Sequence, residues 1–440
     1  MEPSVRHLSV VHRIRNRHPL RIAMCRQLDR LDHADSAEIK RSQERRLRAL
    51  VRVAAARSPF YREYFRESGI NPRSIRTLDD LPQLPLLTRD HLLERVDEFR
   101  VYPRRLMWAA RSSGTSGRPI SVYRTPGSSV YELCALEQQW GWFGLRPGAH
   151  RVMLRGSDFA ATEPGQLTKA IPGARQLLVS SFQLIPSNLD AIMADVRAFA
   201  PVAIEGWPSS IALLAALLRE RDEKLPVKAV ITSSETMTAG RIALIEDVFC
   251  GPVIDHYGQT ERVMMAGTCE HGGFHVFPDY GIVELLPVPH TESRWELVGT
   301  PLHNWGFPLF RYRTGDEVGP APTQPCPCGR SFPLVGRVSG RVEDSFTAAD
   351  GRPVPLPSTV IDDLSGVREA QIVQLARGRY EVRVAPAAGF DEPEVEETVR
   401  RNVDRIFGAG QHVTLRVMPR IPRSDNGKLK SVVVEGDGSS

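Results

Sequence analysis

Lysine is scarce in this sequence, and long apolar runs are missing from it. Only six of the 57 basic residues are lysine, so arginine carries most of the positive charge. No apolar stretch approaches the ~18–20 residues that a membrane-spanning helix needs. The first residues carry charges and histidines where a secretory signal has an apolar segment. We therefore expect a cytoplasmic protein without a membrane span.

Cysteine is also sparse, and the charge is scattered. Six cysteines in 440 residues are too few for a disulfide framework in a chain of this size. The formal net charge is +5, but no cationic run alternates with aromatic residues as a nucleic-acid-binding surface would require. These patterns exclude a disulfide-stabilised scaffold and argue against a nucleic-acid partner.

The order of the predicted elements indicates an α/β fold in two domains. From Arg151 onward, segments typical of strands and amphipathic helices alternate, which predicts a largely parallel sheet. Runs between His275 and Arg313 are typical of antiparallel strands. The final part has the order strand, strand, helix, strand of a compact α+β unit of roughly 100 residues. Because single cores stop growing near ~250–300 residues, we predict a large domain of residues 1–338 and a small one of residues 339–440.

One stretch, RSSGTSGRPI at Arg111 to Ile120, is rich in serine, threonine and glycine. Taken alone, such a run is more often a flexible linker than a phosphate-binding loop, and it lacks the G-x-x-x-x-G-K-[ST] spacing of a Walker loop. Its chemistry nevertheless suits an anion, because glycine leaves backbone N–H groups accessible and the hydroxyl groups add donors. Other motifs are needed to decide between the two interpretations.

Four further motifs follow in order along the chain. YGQTE, at Tyr257 to Glu261, closes a predicted strand, and ligands of open α/β sheets lie at the carboxyl ends of strands. YRTGD ends on Asp316, a carboxylate able to accept both hydroxyls of a ribose. GRVED lies at the predicted domain boundary, and PRSDNGKLK places Lys428 in the last predicted loop. Each motif alone also fits a plain structural role, such as a turn-capping aspartate or a solvated glutamate.

Together, the loop and these four motifs resemble the adenylate-forming superfamily, and in particular its phenylacetate–coenzyme A ligase-like branch. The resemblance runs from SPFYREYFRESGI and LPLLTRDHL, before the loop, to PRSDNGKLK, and EGWPSS and ITSSE match comparable segments. It implies a large N-terminal adenylate-forming domain with parallel-rich sheets plus antiparallel strands. It also implies a small, mobile α+β C-terminal domain that carries the catalytic lysine.

The resemblance further implies which residues bind ATP. The loop residues would hold its β- and γ-phosphates: Ser113, Gly114, Thr115, Ser116 and Gly117. Tyr257 would lie against adenine, and Asp316 would hold the ribose with Arg341 beside it. Ser234 and Glu235, from ITSSE, would belong to the same nucleotide site.

The resemblance assigns catalysis to three residues. Thr260 would contact the α-phosphate, Glu261 would bind Mg²⁺, and Lys428 would stabilise the charge that develops on the carboxylate and the α-phosphate. Two departures affect this transfer of roles. Arg118 stands where the loop usually has a lysine, and Glu343 followed by Asp344 leaves open which carboxylate forms the hinge.

Two cysteine-containing segments predict a metal site. CEHGGFH and CPCGR offer the donors Cys269, His271, His275, Cys326 and Cys328. Two thiolates one residue apart can complete a tetrahedral Cys₃His zinc site with a distant cysteine and histidine, although reduced thiols beside an exposed histidine remain an alternative. The resemblance implies the set Cys269, His275, Cys326 and Cys328 and a structural zinc.

We expect an enzyme that uses ATP and Mg²⁺ to convert a carboxylic acid into an acyl-adenylate and then passes the acyl group to coenzyme A. An amine acceptor is the alternative, and a zinc-stabilised nucleotide-binding module without catalysis is a third possibility. The acid is not identified by the sequence. Trp207, Phe143, Met264 and Met265 are candidates for the acid pocket, although such residues more often belong to a core.

Overall fold

The protein is described by a computed structural model that covers residues 19–112, 120–155, 165–171, 173–289, 291, 293–341, 346–351, 353–354, 357–361, 364–424 and 428–435. Its α-helices are, in chain order, α1 (Arg21–Asp32), α2 (Ser36–Arg57), α3 (Pro59–Ser68), α4 (Arg89–Arg95), α5 (Pro126–Trp142), α6 (Leu189–Phe199), α7 (Pro208–Arg219), α8 (Ala239–Phe249) and α9 (Glu392–Phe407).

The strands are, in chain order, β1 (Trp108–Arg111), β2 (Ser121–Arg124), β3 (Arg151–Arg155), β4 (Thr168–Ile171), β5 (Gln176–Ser180), β6 (Ala203–Gly206), β7 (Ala229–Ser233), β8 (Val253–Gly258), β9 (Met265–Thr268), β10 (Phe274–Val276), β11 (Gly281–Pro287), β12 (Trp295–Pro301), β13 (Tyr312–Val318), β14 (Val338–Arg341), β15 (Phe346–Thr347), β16 (Pro353–Val354), β17 (Val367–Ala376), β18 (Arg379–Pro386), β19 (His412–Val417) and β20 (Val432–Val434).

The described residues form two compact units. The first comprises the described residues up to Pro147 together with Ile254–Ser339, and the second comprises Gly148–Val253 together with Gly340 onward. The division of the chain into domains of residues 1–338 and 339–440 stays a prediction. The α/β fold class itself is confirmed.

The first unit is rich in antiparallel strands. β8, β9 and β10 pair antiparallel, as do β11, β12 and β13. The hairpin of β1 and β2 is antiparallel as well. Helices α2 and α3 contribute to the main apolar core of this unit, where Leu50 and Tyr61 are fully buried. The antiparallel strands predicted between His275 and Arg313 are therefore present.

The second unit contains the predicted parallel strands. β3 pairs parallel with β5 and with β6, and β6 pairs parallel with β7, whereas β4 is antiparallel to β5. β6 and β7 are buried along their whole length, as expected for parallel strands that are covered on both faces. Helix α7 is buried from Pro208 to Leu218 and is almost entirely apolar, which makes it a core helix.

The final part of the chain has a core of its own within the second unit. Strands lie in the order β19, β18, β17, β20, with β17 and β18 antiparallel and the two outer pairs parallel. Helix α9 is capped by Asp391, whose side chain accepts a hydrogen bond from the Glu394 N–H, and it buries Val395, Val399 and Phe407. The predicted α+β C-terminal part is therefore present.

Candidate active site

Tyr257 and Asp316 meet at the ends of two strands of the first unit. The Tyr257 hydroxyl, near the end of β8, donates a hydrogen bond of 2.5 Å to Asp316 Oδ2 in β13. Burial raises the pKa of Tyr257 well above its ordinary value, and the negative charge of Asp316 raises it further. The phenol therefore stays protonated as a donor. The two residues that the sequence analysis assigned to adenine and to ribose are thus in direct contact.

The turn after β8 presents Thr260 and Glu261 and is held in place by two contacts. Arg124, at the end of β2, donates a hydrogen bond of 2.7 Å to the Thr260 carbonyl. The Tyr312 hydroxyl donates one of 2.9 Å to Glu261 Oε1. The sequence analysis assigned no role to Arg124 or to Tyr312, although Tyr312 is the first residue of the YRTGD motif.

A buried charged group lies directly behind this turn. Arg262 has a left-handed backbone, with φ of 55°, and its Nε lies 3.3 Å from Glu132 Oε2 in α5. Tyr280 donates its hydroxyl to the same carboxylate. Burial alone would raise the pKa of Glu132, but Arg262 and the Tyr280 hydroxyl lower it to about 2. Glu132 is therefore an anion that balances the arginine next to Glu261.

Lys428 lies in the second unit, beside the end of β7. Its ammonium group donates a hydrogen bond of 3.3 Å to the Ser234 carbonyl and lies 5.6 Å from the centre of the Trp207 ring. That distance is within the range of a cation–π interaction. The lysine of PRSDNGKLK therefore contacts the ITSSE segment that the resemblance assigned to the nucleotide site.

Glu235, the next residue of ITSSE, faces the start of α7. Its carboxylate accepts hydrogen bonds of 2.8 Å from the Ser209 N–H and 3.0 Å from the Ser209 hydroxyl. A carboxylate at a helix N-terminus satisfies an otherwise unpaired N–H and interacts favourably with the helix dipole. Glu235 is thus positioned by the backbone of α7.

Several predicted site residues fall outside what the structure describes. Ser113, Gly114, Thr115, Ser116 and Gly117 lie outside the described residues, as do Arg118, Glu343 and Asp344. The residues that flank the loop are paired: the Ser112 N–H donates to the Ile120 carbonyl across 2.9 Å, and the Ile120 N–H donates to the Ser112 hydroxyl across 3.0 Å. Arg341 ends β14, and its side chain is outside the description.

The candidates for the acid pocket differ in their surroundings. Met264 and Met265 are fully buried in the apolar cores of the first unit, which is the commoner role of such residues. Trp207 faces the Lys428 ammonium group. Phe143, which follows α5, is half-buried.

The predicted metal ligands come together in the first unit. The Sγ atoms of Cys269, Cys326 and Cys328 and a ring nitrogen of His275 all lie within 4.8 Å of one another. Cys269 Sγ is 3.5 Å from Cys326 Sγ, and Cys328 Sγ is 3.4 Å from His275 Nε2. His271 is exposed and does not belong to this cluster. The four ligands inferred from the resemblance are therefore the four that the fold brings together.

The surroundings of the cluster suit a bound metal. Burial lowers the pKa of His275, which keeps its ring neutral, and Nδ1 donates to the Phe332 carbonyl across 2.9 Å. That bond directs Nε2 towards the cysteines, as backbone carbonyls do for histidines that bind zinc. A Cβ atom added to Gly273 would lie 2.7 Å from Cys326 Sγ, so only glycine fits there. Three thiols and one imidazole are the donor set of a closed zinc site.

Comparisons with known proteins agree with this description. The profile of the CapK C-terminal domain family matches residues 356–435. A phenylacetate–coenzyme A ligase from Thermus thermophilus is 25% identical over 433 residues, which cover 90% of this chain and 96% of that protein. Protein CapK from Staphylococcus aureus is 20% identical over 399 residues, which cover 89% of this chain and 88% of that protein.

A solved structure has the same fold. The 2-hydroxyisobutyryl-CoA ligase in its postadenylation state superposes with a TM-score of 0.72 at 21% identity, over 93% of this chain and 92% of that one. These matches confirm the predicted resemblance to the adenylate-forming superfamily and to its phenylacetate–coenzyme A ligase-like branch. Among the described residues, none of the helices is both long and apolar enough to pass through a bilayer.

Proposed function

We propose that the protein is an AMP-forming ligase that activates a carboxylic acid with ATP and transfers the acyl group to coenzyme A. The observation that carries this proposal is the contact of Lys428 with Ser234, because it joins the lysine motif to the strand end where α/β sheets bind ligands. Relatives named phenylacetate–coenzyme A ligase support the same reaction class.

In the first half-reaction, a carboxylate oxygen of the acid attacks the α-phosphorus of ATP. The bond between the α-phosphorus and its bridging oxygen to the β-phosphorus breaks, and pyrophosphate leaves. Negative charge accumulates on the α-phosphate oxygens, and the Lys428 ammonium is the group that we propose stabilises it. Thr260 contacts the α-phosphate from the turn that Arg124 holds in place.

The motif residues supply the contacts to the nucleotide in this proposal. Asp316 accepts the ribose hydroxyls, with Tyr257 against adenine and Arg341 beside the ribose. The loop of residues 113–117 binds the β- and γ-phosphates, and Ser234 and Glu235 contribute from the end of β7. Glu261 would hold Mg²⁺ through its carboxylate, a ligand type that this cation prefers, and the cation would neutralise phosphate charge.

In the second half-reaction, the thiolate of coenzyme A attacks the acyl carbonyl of the adenylate. A thioester forms, and AMP leaves with the electron pair of the acyl–oxygen bond. Both half-reactions need only the acid, ATP, Mg²⁺ and coenzyme A. A cytoplasmic location stays a prediction.

We propose that zinc occupies the cluster of Cys269, His275, Cys326 and Cys328 and that it is structural. Four protein donors leave no open position for a substrate or for a reactive water molecule, which is the difference between structural and catalytic zinc sites. The zinc would link the turn after β9 to the segment before β14 and would contribute folding free energy.

The experiment that tests the proposal is a screen of carboxylic acids for ATP-dependent pyrophosphate release, followed by mass spectrometry of the products formed with coenzyme A. We expect an acid that releases pyrophosphate and yields a thioester when coenzyme A is added. An acyl-adenylate that does not react with coenzyme A but transfers its acyl group to an amine would show that the acceptor is an amine and not a thiol. ATP binding without pyrophosphate release for any acid would indicate a nucleotide-binding module.

A further inference from the structure

A buried ion pair lies beside the lysine segment in the second unit. Arg423 and Glu369 form a salt bridge in which each side chain is only 4% exposed. Glu369 belongs to β17, and its second oxygen accepts a hydrogen bond of 3.3 Å from the Ile421 N–H. Two charges are costly to bury unless their geometry is well determined. The pair therefore fixes the segment of residues 421–424 against β17.

Arg423 also reaches the start of α7. Its Nη1 donates a hydrogen bond of 3.1 Å to the Ser209 hydroxyl. The same hydroxyl donates its own proton to Glu235 Oε1 across 3.0 Å, and the Ser209 N–H donates to Glu235 Oε2 across 2.8 Å. Ser209 therefore connects Arg423 to Glu235 of the ITSSE segment through hydrogen bonds.

The chain of contacts closes through Lys428. The Ser424 N–H and the Ser424 hydroxyl both donate hydrogen bonds of 3.0 Å to the Lys428 carbonyl, which ties the backbone of Lys428 to Ser424. The Lys428 ammonium donates in turn to the carbonyl of Ser234, the neighbour of Glu235 in the sequence. Arg423 is thus linked to Lys428 by two routes: along the chain through Ser424, and through Ser209 and Glu235 to the neighbouring Ser234.

We propose that Arg423, Glu369 and Ser209 are positioning residues that hold Lys428 in the geometry needed for adenylate formation. The inference rests on the proposed function and adds to it which residues prepare the lysine for the first half-reaction. A lysine ammonium is a point charge on a flexible four-carbon stem, so its location depends on what anchors its backbone. A displacement of about 1 Å at a reacting group can cost about 10²-fold in rate.

A second ion pair provides a matched control. Arg368, the neighbour of Glu369 in β17, binds Glu220 beside the end of α7 through contacts of 2.6 to 3.0 Å. This pair also links β17 to the region of α7, but it forms no hydrogen bond with Ser209, Ser424 or Lys428. If the Arg423 pair only fastened β17 to α7, the loss of either pair would have similar effects.

The first test measures the two half-reactions separately. In Glu369→Gln we expect the kcat of pyrophosphate release to fall by about 10- to 10²-fold, because Arg423 loses its charged partner and Lys428 is then held less firmly. Thioester formation from a supplied acyl-adenylate and coenzyme A should stay at the wild-type rate. Ser209→Ala, which leaves the buried pair in place, should show the same selective loss, and Glu220→Gln should show none.

Equal losses in both half-reactions, or equal effects of Glu369→Gln and Glu220→Gln, would mean that the pair is merely structural and would overturn the inference. Wild-type pyrophosphate release in both Glu369→Gln and Ser209→Ala would overturn it as well. If Glu369→Gln does not fold, Ser209→Ala decides the question, since it removes one hydroxyl group and no charge.

A second test does not depend on catalysis. The chain has six lysines, so the modification of each by a lysine-acylating reagent is resolvable by mass spectrometry. We expect Lys428 to react more slowly than the exposed Lys430 in wild-type protein and at a similar rate in Glu369→Gln. Slow modification of Lys428 in the variant would contradict the inference. If no acid supports pyrophosphate release in wild-type protein, the proposed function fails, and this comparison still decides whether the pair positions Lys428.

Discussion

The Tyr257 hydroxyl and the Asp316 carboxylate are joined by a hydrogen bond of 2.5 Å between residues that are 59 positions apart in the chain. Because burial and the aspartate both keep the phenol protonated, Tyr257 is a permanent donor to this carboxylate. The aspartate is therefore oriented before any nucleotide binds. Such preorganisation spares the ordering of a side chain when a ligand arrives.

Replacement of Asp316 should weaken nucleotide binding. We expect Asp316→Asn to raise the KM for ATP by about 10- to 10²-fold, since hydrogen bonds to charged groups are worth about 1.5–3 kcal/mol. Tyr257→Phe should raise it less, because the carboxylate then loses one neutral donor and keeps its charge. Pyrophosphate release measured against ATP concentration gives both values, and an unchanged KM in Asp316→Asn would remove the ribose assignment.

Removal of the Lys428 ammonium should affect the first half-reaction. We expect Lys428→Ala to slow pyrophosphate release by about 10²- to 10³-fold, as for the loss of one preorganised donor to developing charge. Acyl transfer from a supplied adenylate should survive. Lys430→Ala is the matched control, because Lys430 is exposed and accepts a hydrogen bond from Gln371 through its backbone carbonyl, which the substitution leaves in place. Rapid pyrophosphate release in Lys428→Ala would refute the assignment.

The metal prediction concerns the cluster around Cys326. Purified protein should contain about one zinc ion per chain, and the double change Cys326→Ser with Cys328→Ser should lose the metal and lower the Tm. Gly273→Ala should also lose metal, because its Cβ would lie 2.7 Å from Cys326 Sγ. His271→Ala should retain the metal, as this side chain is outside the cluster. Elemental analysis decides, and metal-free wild-type protein with full activity would exclude the site.

Stability should depend on pH through buried His303. Burial lowers the pKa of His303 to about 3 from an ordinary value of 6.5, and its Nδ1 donates to the Tyr280 carbonyl across 3.1 Å. Between pH 6.5 and 3 the unfolded chain therefore binds one more proton at this residue. The contribution of His303 to the free energy of unfolding should fall by about 1.4 kcal/mol for each pH unit of acidification in that window.

Asp279 opposes this trend over part of the range. Burial raises its pKa from 3.8 to about 6, so between these values the folded chain binds the extra proton and acidification favours folding. Comparison of wild type with His303→Gln isolates the histidine contribution, and we expect a weaker loss of stability on acidification in the variant. His33→Gln, at an exposed position, should not change the slope. Identical slopes in wild type and His303→Gln would show that His303 is not the group responsible.

Much of the secondary structure could be predicted from local patterns. Within the alternation predicted from Arg151 onward, the segment SNLDAIMADVRAFA contains α6 and the segment KAVITS contains β7. The strands and helices could be predicted because hydrophobic periodicity and turn residues are short-range properties of the sequence. Their alternation then indicated a parallel sheet. The order of the motifs was likewise sufficient to predict the resemblance to the adenylate-forming superfamily.

Buried charges could not be predicted in the same way. Glu132 lies within the sequence of α5 and has no local feature that separates it from a solvated glutamate, yet it is buried against Arg262 and Tyr280. Arg423 stands in an exposed-looking polar segment, and its partner Glu369 is 54 residues away. Their burial follows from packing between distant segments.

The sequence by itself determined the elements, their order and the identities of the reactive side chains, because these depend on residues that are neighbours in the chain. Only the tertiary structure decided which of those side chains meet. Lys428 and Ser234 are 194 residues apart in the chain, and only the folded structure brings them into contact. Cys269 and His275 likewise converge because β9 and β10 pair antiparallel, and the bridge between His275 and Leu334 brings the segment that follows Cys326 and Cys328 to the same place.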